Sequence, residues 1–467
     1  MKTIGFLSAM SLPLCTLSYA AAQDRPNIVF IMADDLGWTD LGVMGSDYYE
    51  TPHIDQLAAE GLLFDNAYAS AANSAPSRAC LMTGMYTPRH GVFTVSPSAR
   101  GNSSLRKLIP IENTEEVRAD FVTMAEALQQ QGYTCGHVGK WHLGDDAEGT
   151  GPLSQGFSLN IAGGKAGSPY SYFYPYCNPK GTQCHVGLEQ GTPGEYLTDR
   201  LTDEALKFVR DHRDGPFFLY LSHHAVHVPL KAPEQEVKHF EAKPKGTRHT
   251  NAVYAAMIAK LDESVGRVCR ELDRLGIARN TLVVFFSDNG GSEPVTENAP
   301  LRGGKGTPYE GGTRVPLILR WPGTIEAGTR TSVPVTGVDF YPTFVRLAQG
   351  KPAKELDGED IFGLLRRPAR QRDLFWHFPA YLESYRNSMK GFRATPYTSM
   401  REGDWKLIYF YETGVPELYN LRDDPGETRD LYMEMPQKAR RLVRKLNKWV
   451  KDTHAPVPTE LNPHYGK

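Results

Sequence analysis

The stretch Pro26-Asn27-Ile28-Val29-Phe30-Ile31-Met32-Ala33-Asp34-Asp35-Leu36-Gly37 decides the fold. Its apolar run, residues 27–32, is short and unbroken, as in a strand that is buried on both faces of a parallel sheet. The run ends on two carboxylates and a glycine. In open α/β sheets, ligands bind just beyond this carboxyl end of the strands. The stretch therefore predicts the kind of sheet and the edge at which a functional site lies.

Four further apolar runs of the same kind follow, and segments with helical periodicity separate them. The runs cover residues 134–138, 217–221, 282–286 and 316–320. The helical segments cover residues 123–130, 196–210 and 253–275, and the last carries a long apolar stripe that stops at Gly276. Strands that alternate with helices predict a large, mostly parallel sheet that is covered by helices on both faces.

After about residue 366, the alternation of strand and helix patterns gives way to consecutive strand patterns. Residues 400–411 alternate around the turn Glu402-Gly403-Asp404, which predicts a hairpin, and residues 417–421 add a possible third strand. Residues 436–452 have the pattern of a basic amphipathic helix. We therefore predict a large α/β domain over residues 23–365 and a small α+β subdomain with an antiparallel sheet over residues 366–467.

The N-terminus has the pattern of a secretory signal peptide. Lys2 supplies the positive charge, residues 4–17 are apolar, and Ala20-Ala21-Ala22 offers a cleavage site. No later apolar run reaches the roughly 18 residues that span a bilayer. We therefore predict that residues 1–22 are removed and that the mature protein is exported, either to the periplasm or to the medium.

Charge and cysteine content narrow the class of protein. The 467 residues include 52 Lys and Arg and 54 Asp and Glu, a formal net charge of -2, so nothing indicates a nucleic-acid partner.

Cys177 and Cys184 close a short loop that contains Pro179 and Gly181. This spacing favours a local disulfide in an oxidising compartment, and two free thiols are the alternative.

Oxygen-bearing side chains follow two of the predicted strands. Asp34 and Asp35 follow the first strand, and Asp288 and Asn289 follow the fourth. Three carboxylates and an amide suit a hard cation, and calcium accepts more ligands and looser geometry than magnesium does. Either pair alone is also typical of a turn at a strand end. Both pairs at one edge of a sheet favour a metal site.

The segment Ser74-Ala75-Pro76-Ser77-Arg78 opens a predicted helix that ends at Gly84. Ser74 is a good N-cap, and Pro76 is favourable near a helix start. The positive end of a helix also attracts anions, so an anion site and an ordinary capped helix are both compatible with the pattern. Arg78 lies one helical turn after Ser74, so the two side chains can share a face.

These motifs resemble the type I sulfatases, a family of the alkaline phosphatase superfamily. The segment from Ser74 to Arg78 is similar to their signature C/S-x-P-S/x-R, in its less common serine form. Other matching motifs occur in the family's order over nearly the whole mature chain. They are the opening stretch, Thr51-Pro52-His53-Ile54-Asp55, Gly139-Lys140-Trp141-His142, Ser287-Asp288-Asn289-Gly290, Gly303-Gly304-Lys305-Gly306 and Glu417-Leu418-Tyr419-Asn420-Leu421. The resemblance implies an alkaline-phosphatase-like fold, with a large mixed, mostly parallel sheet between helices, and the hydrolysis of sulfate esters.

The resemblance also implies a modified side chain and a metal. Ser74 would be oxidised to formylglycine (3-oxoalanine) by a sulfatase-maturing enzyme before export. The hydrate of that aldehyde offers two hydroxyls, one to attack sulfur and one to let sulfate leave. One calcium ion would be held by Asp34, Asp35, Asp288 and Asn289 together with residue 74.

Further roles follow from the resemblance, position by position. Arg78 would hold the hydrate, Lys140 would stabilise charge, and His142 would act as the base for the second hydroxyl. Lys305 would bind a sulfate oxygen from its glycine-rich loop. His227, the histidine two residues before a proline, would protonate the leaving alcohol.

The substrate site is the least readable part of the sequence. Tyr172 and Tyr174 belong to an aromatic run that can stack on sugar faces, although core packing explains the run equally well. His377 lies where similar enzymes bring substrate contacts from the small subdomain, and residues 92–120 have the pattern of an insertion at the rim. We expect an exo-acting enzyme that removes O-sulfate from galactose or an N-acetylhexosamine. The alternatives are a phosphonate or phosphodiester hydrolase of the same fold, and a glycan-binding pseudoenzyme with unmodified Ser74.

Overall fold

The structure is a computed structural model that describes residues 25–95, 97–385 and 390–467. The predicted signal peptide, residues 1–22, lies outside the described residues. The strands in chain order are β1 (Asn27–Ala33), β2 (Leu62–Phe64), β3 (Ala67–Tyr68), β4 (Thr134–Gly139), β5 (Leu159–Ile161), β6 (Phe217–Ser222), β7 (Thr281–Ser287), β8 (Leu317–Arg320), β9 (Thr329–Thr331), β10 (Val335–Thr336), β11 (Asp373–Phe378), β12 (Leu382–Glu383), β13 (Phe392–Ala394), β14 (Tyr397–Glu402), β15 (Trp405–Phe410) and β16 (Pro416–Asn420). The α-helices are α1 (Pro52–Ala59), α2 (Ser74–Thr83), α3 (Thr87–His90), α4 (Met124–Gln129), α5 (Leu197–Asp211), α6 (Glu234–Ala242), α7 (Ala252–Arg274), α8 (Glu310–Thr313), α9 (Phe340–Leu347), α10 (Ile361–Leu365) and α11 (Pro436–Asp452).

The larger sheet has eight strands in the order β5-β4-β6-β1-β7-β8-β2-β9. The strand β1 lies near its centre and pairs in parallel with β6 on one side and β7 on the other. All seven of its residues are buried, because helices cover both faces of the sheet. The prediction of a buried, mostly parallel sheet from the opening stretch is therefore confirmed.

One predicted parallel strand is wrong in its direction. The strand β8 runs antiparallel to both of its neighbours, β7 and β2. A parallel partner for β7 would need a long crossover, usually through a full helix. The chain between β7 and β8 contains only the four-residue helix α8, so it returns without crossing the sheet. The sheet is consequently mixed, with one reversed strand.

The second sheet has four antiparallel strands in the order β11-β14-β15-β16. The predicted hairpin is present as β14 and β15, with Glu402 paired to Trp405. Helix α11 has the predicted bounds, residues 436–452, and buries Leu442 and Leu446 against this sheet. The rings of Phe375 on β11 and Trp449 on α11 stack with centroids 4.6 Å apart. The small sheet and its helix therefore share a core.

A buried cluster of charges joins the second sheet to the rest of the chain. The ammonium of Lys406 on β15 lies 3.0 Å from Glu310 and 2.9 Å from Glu427. The hydroxyl of Tyr68 donates to the other oxygen of Glu310 at 2.7 Å. These side chains are inaccessible to solvent or nearly so. Because buried charges need partners, the cluster fixes how the two sheets meet.

Four strands of the larger sheet deliver the predicted site residues to one edge. Asp34 and Asp35 follow β1, Lys140 follows β4, and Asp288 follows β7, each just beyond the end of its strand. The segment after β6 carries His227 to the same edge. Among the described residues, no helix is both long and apolar enough to cross a membrane.

Candidate active site

Ser74 is the first residue of α2, a helix in which every residue is buried. Its hydroxyl lies 3.3 Å from Asp34 Oδ1 and 3.1 Å from Asn289 Oδ1. The side chain of Ser74 thus faces the sheet edge rather than capping its own helix. Residue 74 is only 1% exposed, so it lies beneath the surface of the folded protein.

The orientation of the Asn289 amide follows from its hydrogen bonds. Its Nδ2 donates to Asp35 Oδ1 at 2.8 Å and to the carbonyl of Gly290 at 3.0 Å. Because both donors are used, Oδ1 faces Ser74 as an acceptor. Asp35 itself has a left-handed backbone, φ 64°, which aspartate tolerates better than most residues. This turn directs its carboxylate across to Asn289.

Three buried or nearly buried cations pair with the three carboxylates. Lys140 Nζ lies 2.7 Å from Asp34, and Lys305 Nζ lies 2.7 Å from Asp35. The guanidinium of Arg78 donates to Asp288 from Nε at 3.0 Å and from Nη2 at 2.8 Å. The formal charges of these six groups cancel. The cluster is therefore neutral as it stands, with each carboxylate tied to one cation.

Burial and neighbouring charges shift the pKa values of this cluster in opposite directions. Burial, together with the nearby carboxylates of Asp288 and Asp35, raises the pKa of Asp34 to about 7. For Asp35, burial acts the same way and is the largest single effect, but Lys305, His227 and Lys140 together outweigh it and hold the pKa below its usual value. Burial also lowers the pKa of the Lys140 ammonium. Of the three carboxylates, Asp34 is thus the one whose negative charge is stabilised least by its partners.

Two histidines flank the carboxylates. His227 Nε2 lies 3.6 Å from Asp35 Oδ2, and its Nδ1 lies 2.6 Å from the carbonyl of Val228. A carbonyl only accepts, so Nδ1 carries a proton and Nε2 of the neutral ring is an acceptor. Burial, reinforced by Lys305, lowers the pKa of His227 to about 3. The pKa of His142 is also far below its usual value, through burial and the charge of Lys140.

The oxygen atoms at the sheet edge fit a calcium ion. Atoms of Asp34, Asp35 and His227 lie within 4.8 Å of one another, close enough to share one ion. Asn289 Oδ1 and the Ser74 hydroxyl add two neutral oxygens on the same side. Oxygen donors of this number and charge suit calcium, whereas His227 is a poor ligand for a hard cation. The oxygens of Asp288 accept from Arg78 and from the amide of Asp35, and those of Asp34 and Asp35 also accept hydrogen bonds within the cluster.

Two of the predicted substrate contacts are wrong. His377 is buried, and its ring nitrogens are already bonded to Thr398 Oγ1 at 2.8 Å and to the carbonyl of Pro456 at 3.1 Å. Tyr172 is 1% exposed, and its hydroxyl donates to the carbonyls of His224 and His227, both at 2.7 Å. Neither side chain has a free polar atom for a sugar. Tyr172 instead supports the segment that carries His227.

The third predicted contact, Tyr174, is half-buried and packs its ring edge-on against Tyr176 at 5.8 Å. The ring also lies against Gly191, where a side chain would collide with it. Its surroundings are thus those of a packed loop. Nearby, a disulfide joins Cys177 and Cys184, which closes the loop that the spacing predicts.

The sequence did not single out several residues that border the cluster. Ser222, at the end of β6, accepts a short hydrogen bond from Arg78. Tyr385 and Arg393 lie against the loop that carries Lys305, and both donate to the carbonyl of Lys305. No local pattern marks these positions, since β13 meets the Lys305 loop only through tertiary packing. The resemblance carried no motif there either.

Comparison with protein families supports the expected class. The model of the family described as Sulfatase matches residues 26–350. A second model, described as N-sulphoglucosamine sulphohydrolase, C-terminal, matches residues 304–455. The two matches together reach from β1 to α11.

Similar proteins span nearly the whole chain. A sulfatase of Formosa agariphila is 36% identical over 93% of this chain and 90% of its own length. N-acetylgalactosamine-6-sulfatase of Mus musculus is 33% identical over 87% of this chain and 82% of its own. The crystal structure of Ps i-CgsB in complex with k-i-k-neocarrahexaose is 31% identical, covers 94% and 95% of the two chains, and has a TM-score of 0.76. The chain therefore belongs to the sulfatase family, with the alkaline-phosphatase-like fold, and it is a sulfuric ester hydrolase.

Proposed function

We propose that this sulfatase removes sulfate from a carbohydrate, with one calcium ion and with a formylglycine made from Ser74. The observation that carries the proposal is the position of the Ser74 hydroxyl. It lies within 3.3 Å of Asp34 Oδ1 and 3.1 Å of Asn289 Oδ1, at the centre of three paired carboxylates and cations. A serine with only a structural role would not require three buried ion pairs beside it.

Charge balance supports a divalent cation at this site. The six charged groups around Ser74 cancel, so a sulfate ester would enter as an uncompensated anion in a buried place. The ligands we propose for calcium are Asp34, Asp35, Asp288, Asn289 and residue 74. The ion would supply positive charge to the sulfuryl oxygens, where charge develops during transfer.

Formylglycine would supply a hydrate with two hydroxyls on one carbon, so that one can attack sulfur and the other can release sulfate. The side chains around it have separate tasks. Arg78 holds Asp288 and brings positive charge next to residue 74. Lys140 and Lys305 neutralise Asp34 and Asp35, and both ammonium groups can turn toward sulfate oxygens. His142 lacks a hydrogen-bond partner on Nδ1 among the described residues, so that atom is free to accept a proton as the base.

His227 is proposed to protonate the alcohol that leaves. In the neutral ring its Nε2 is an acceptor, because Nδ1 donates to the Val228 carbonyl. To act as an acid, Nε2 has to gain a proton, which a bound anion and the carboxylate of Asp35 favour. An acid placed this way contributes ~10² to 10⁴ in rate. His227 is therefore expected to matter most for substrates with a poor leaving group, such as sugar alcohols.

The carbohydrate part of the proposal rests on the relatives. Ps i-CgsB is described in complex with a neocarrahexaose, and other relatives are named N-acetylgalactosamine-6-sulfatases. We propose a sulfated glycan substrate, with exo-action on galactose or an N-acetylhexosamine. The signal-peptide pattern supports export and oxidation of Ser74 by a sulfatase-maturing enzyme before export.

The test combines the mass of the Ser74 peptide with activity. Protein made together with a sulfatase-maturing enzyme should carry the aldehyde at residue 74 and release sulfate from sulfated galactose or N-acetylhexosamine. Phosphate monoesters of the same sugars should be much poorer substrates. Ser74→Ala should fold but have no activity.

The matched control is Ser399→Ala, which removes another buried serine hydroxyl, one without a hydrogen-bond partner among the described residues. This variant should keep full activity. Full sulfate release by protein whose Ser74 is shown by mass to be unmodified would refute the proposed chemistry. Faster turnover of the phosphate esters would favour the phosphohydrolase alternative.

A further inference from the structure

A cavity of about 540 Å³ lies beside the loop that carries Lys305. Arg302, Tyr309, Tyr385 and Arg393 line it, together with Glu293. Tyr385 and Arg393 also touch the carbonyl of Lys305, at 3.3 Å and 3.5 Å. The cavity therefore borders the loop whose lysine, Lys305, reaches Asp35 in the cluster around Ser74.

Arg393 reaches close to the residue that precedes Ser74. A Cβ on Gly306 would lie 3.0 Å from Arg393 Nε and 3.2 Å from Asn73 Oδ1, so these two atoms border the same small gap. Both atoms are buried, and neither has a hydrogen-bond partner among the described residues. The charge of Asp35 also acts on Arg393. The cavity and the cluster around Ser74 are thus adjacent parts of one cleft.

The wall of the cavity carries excess positive charge. The guanidinium of Arg393 lies 3.8 Å from the centre of the Tyr385 ring, and that of Arg302 lies 3.7 Å from the centre of the Tyr309 ring. The nearest acid to Arg393, Glu383, is already paired with Arg100. Glu293 is the one acid among the described lining residues, and the charge of Glu417, which accepts from Tyr309 at 3.1 Å, acts on Arg302. Burial lowers the pKa of Arg393 to about 10, which still leaves it charged near neutral pH.

Such a wall suits an anion better than a neutral sugar. Each tyrosine has one face covered by a guanidinium, which leaves less aromatic surface for stacking on a sugar. A stacked guanidinium is held in a fixed plane and can donate to sulfate or carboxylate oxygens. The Ser74 cluster takes the sulfate that is removed, so an anion in the cavity has to be a second one.

We propose that this cavity binds a second acidic group of the glycan, so that the preferred substrate carries a sulfate or carboxylate in addition to the sulfate that is cleaved. The inference rests on the proposed function and names the substrate class for the same site. Arg393 is its principal ligand, and Arg302 adds positive charge.

The test uses three oligosaccharides that share the sulfate to be cleaved. In the first the neighbouring sugar is neutral, in the second it carries another sulfate, and in the third it is a uronic acid. The wild-type enzyme should have a kcat/KM at least about tenfold higher for one of the charged substrates than for the neutral one, in line with a charge-assisted hydrogen bond. The better of the two charged substrates identifies the group that the cavity binds. The preference should weaken as salt is added.

Arg393→Gln should remove the preference by lowering kcat/KM for the charged substrates alone, and Arg393→Lys should keep part of it. The matched control is Arg422→Gln, at an arginine that is 74% exposed and paired with Asp404. The control should keep the wild-type ratio. A preference that is partly kept in Arg393→Lys shows that its loss in Arg393→Gln is not caused by misfolding. The melting temperature of each variant is measured alongside.

Two outcomes separate the inference from the function on which it rests. If the wild type cleaves all three sugars equally, or if Arg393→Gln lowers all three rates by the same factor, the second-anion site is overturned and the sulfatase proposal stands. If the modified wild-type enzyme cleaves none of the sulfated sugars, the proposed glycan substrate fails and the inference fails with it.

Discussion

Asp35 contacts four other residues of the site. Its carboxylate accepts from Asn289 and Lys305, and it lies 3.6 Å from His227. Its backbone amide donates to Asp288 at 3.1 Å. One residue therefore links the proposed metal ligands to the proposed acid and to the lysine that is proposed to bind sulfate.

We predict that Asp35→Asn abolishes both activity and stabilisation by calcium. An ion that binds only the folded state stabilises it by about 2.7 kcal/mol at a hundredfold excess over Kd. Calcium should accordingly raise the melting temperature of the chelator-treated wild type but not that of Asp35→Asn. Asp214→Asn is the control, because Asp214 is 94% exposed. An equal shift in all three proteins would rule out this metal site.

Tyr172 is predicted to act on catalysis through His227. Tyr172→Phe removes the side-chain donor from two buried carbonyls, of which that of His224 keeps a bond from the backbone amide of His227, and it should loosen the segment that carries His227. We expect kcat on a sulfated sugar to fall by roughly tenfold, part of the ~10² to 10⁴ that a positioned acid supplies. An activated aryl sulfate, which needs less help from an acid, should be affected less.

The control is Tyr133→Phe, since the Tyr133 hydroxyl also donates to a buried carbonyl, that of Pro26 at 2.7 Å. Similar kinetics in the two variants would show that Tyr172 is merely structural. A loss of stability in both with a loss of sugar turnover only in Tyr172→Phe would support the positioning role.

At the scale of single residues, the sequence indicated which side chains could act chemically, but not which polar atoms would already be bonded within the protein. The aspartates and Asn289 were predicted because two oxygen-bearing pairs follow strands at one edge of the sheet, whereas the lysines were predicted from the resemblance. His377 and Tyr172 were misread, because a sequence does not show which polar atoms the fold has already paired. Arg393 was missed because its proposed role depends on tertiary contacts with Tyr385 and with the Lys305 loop, which no sequence pattern marks.

Helix α11 is anchored to its sheet by charge as well as by its apolar face. Glu402, at the end of β14, accepts from Lys445 at 2.5 Å and also pairs with Arg441, both on α11. The hydrogen bond from Arg441, aided by Lys445, lowers the pKa of Glu402 to about 2, although burial opposes the shift. The anchor therefore depends on pH.

We predict the following pH dependence for this anchor. A carboxylate with a depressed pKa stabilises the fold above its unfolded value, near 4.5, and the stabilisation is lost as the pH falls toward 2. Glu402→Gln should be less stable than the wild type at pH 7, and the difference should shrink below about pH 4.5. Urea denaturation at several pH values measures it.

Glu434→Gln is the control for the pH series, because Glu434 pairs with Arg429 at a half-exposed site. It should have little effect at any pH, as expected for a surface ion pair. A difference between wild type and Glu402→Gln that stays constant from pH 7 to pH 3 would contradict the prediction.

At the scale of elements, length and periodicity were reliable guides and strand direction was not. The bounds of β1 and α11 follow from local patterns, a buried apolar run and an amphipathic stripe. The direction of β8 depends on how the chain returns from β7, and the intervening loop of glycines and prolines gives no periodic signal. Strand direction depends on the connection between two strands. The sequence pattern of a single strand carries no information about that connection.

At the scale of the whole molecule, a buried charged contact joins the second sheet to helix α8. Lys406 on the second sheet is 1% exposed and lies between Glu310 and Glu427. We predict that Lys406→Met destabilises the protein by about 3–5 kcal/mol, because two buried carboxylates lose their cation. Lys448→Met, at a pair that is 73% exposed on the lysine side, should cost less than about 1 kcal/mol.

A second change can show that the loss comes from uncompensated charge. Burial raises the pKa of Glu427 to about 7, so it is the costlier of the two carboxylates to leave ionised. Adding Glu427→Gln to Lys406→Met should recover part of the lost free energy of unfolding in urea. If the double variant is less stable than the single one, the contact acts by packing and not by charge.

The burial of Ser74 sets a time limit on its proposed oxidation. Ser74 is 1% exposed, and its contact Asn289 is 215 residues further along the chain. At about 5–20 residues per second, a ribosome needs roughly 10–40 s to synthesise that interval. A modifying enzyme has to reach the serine before β7 docks and closes the site. The yield of active enzyme then depends on the rate of oxidation relative to the rate of folding. Slower translation should increase that yield.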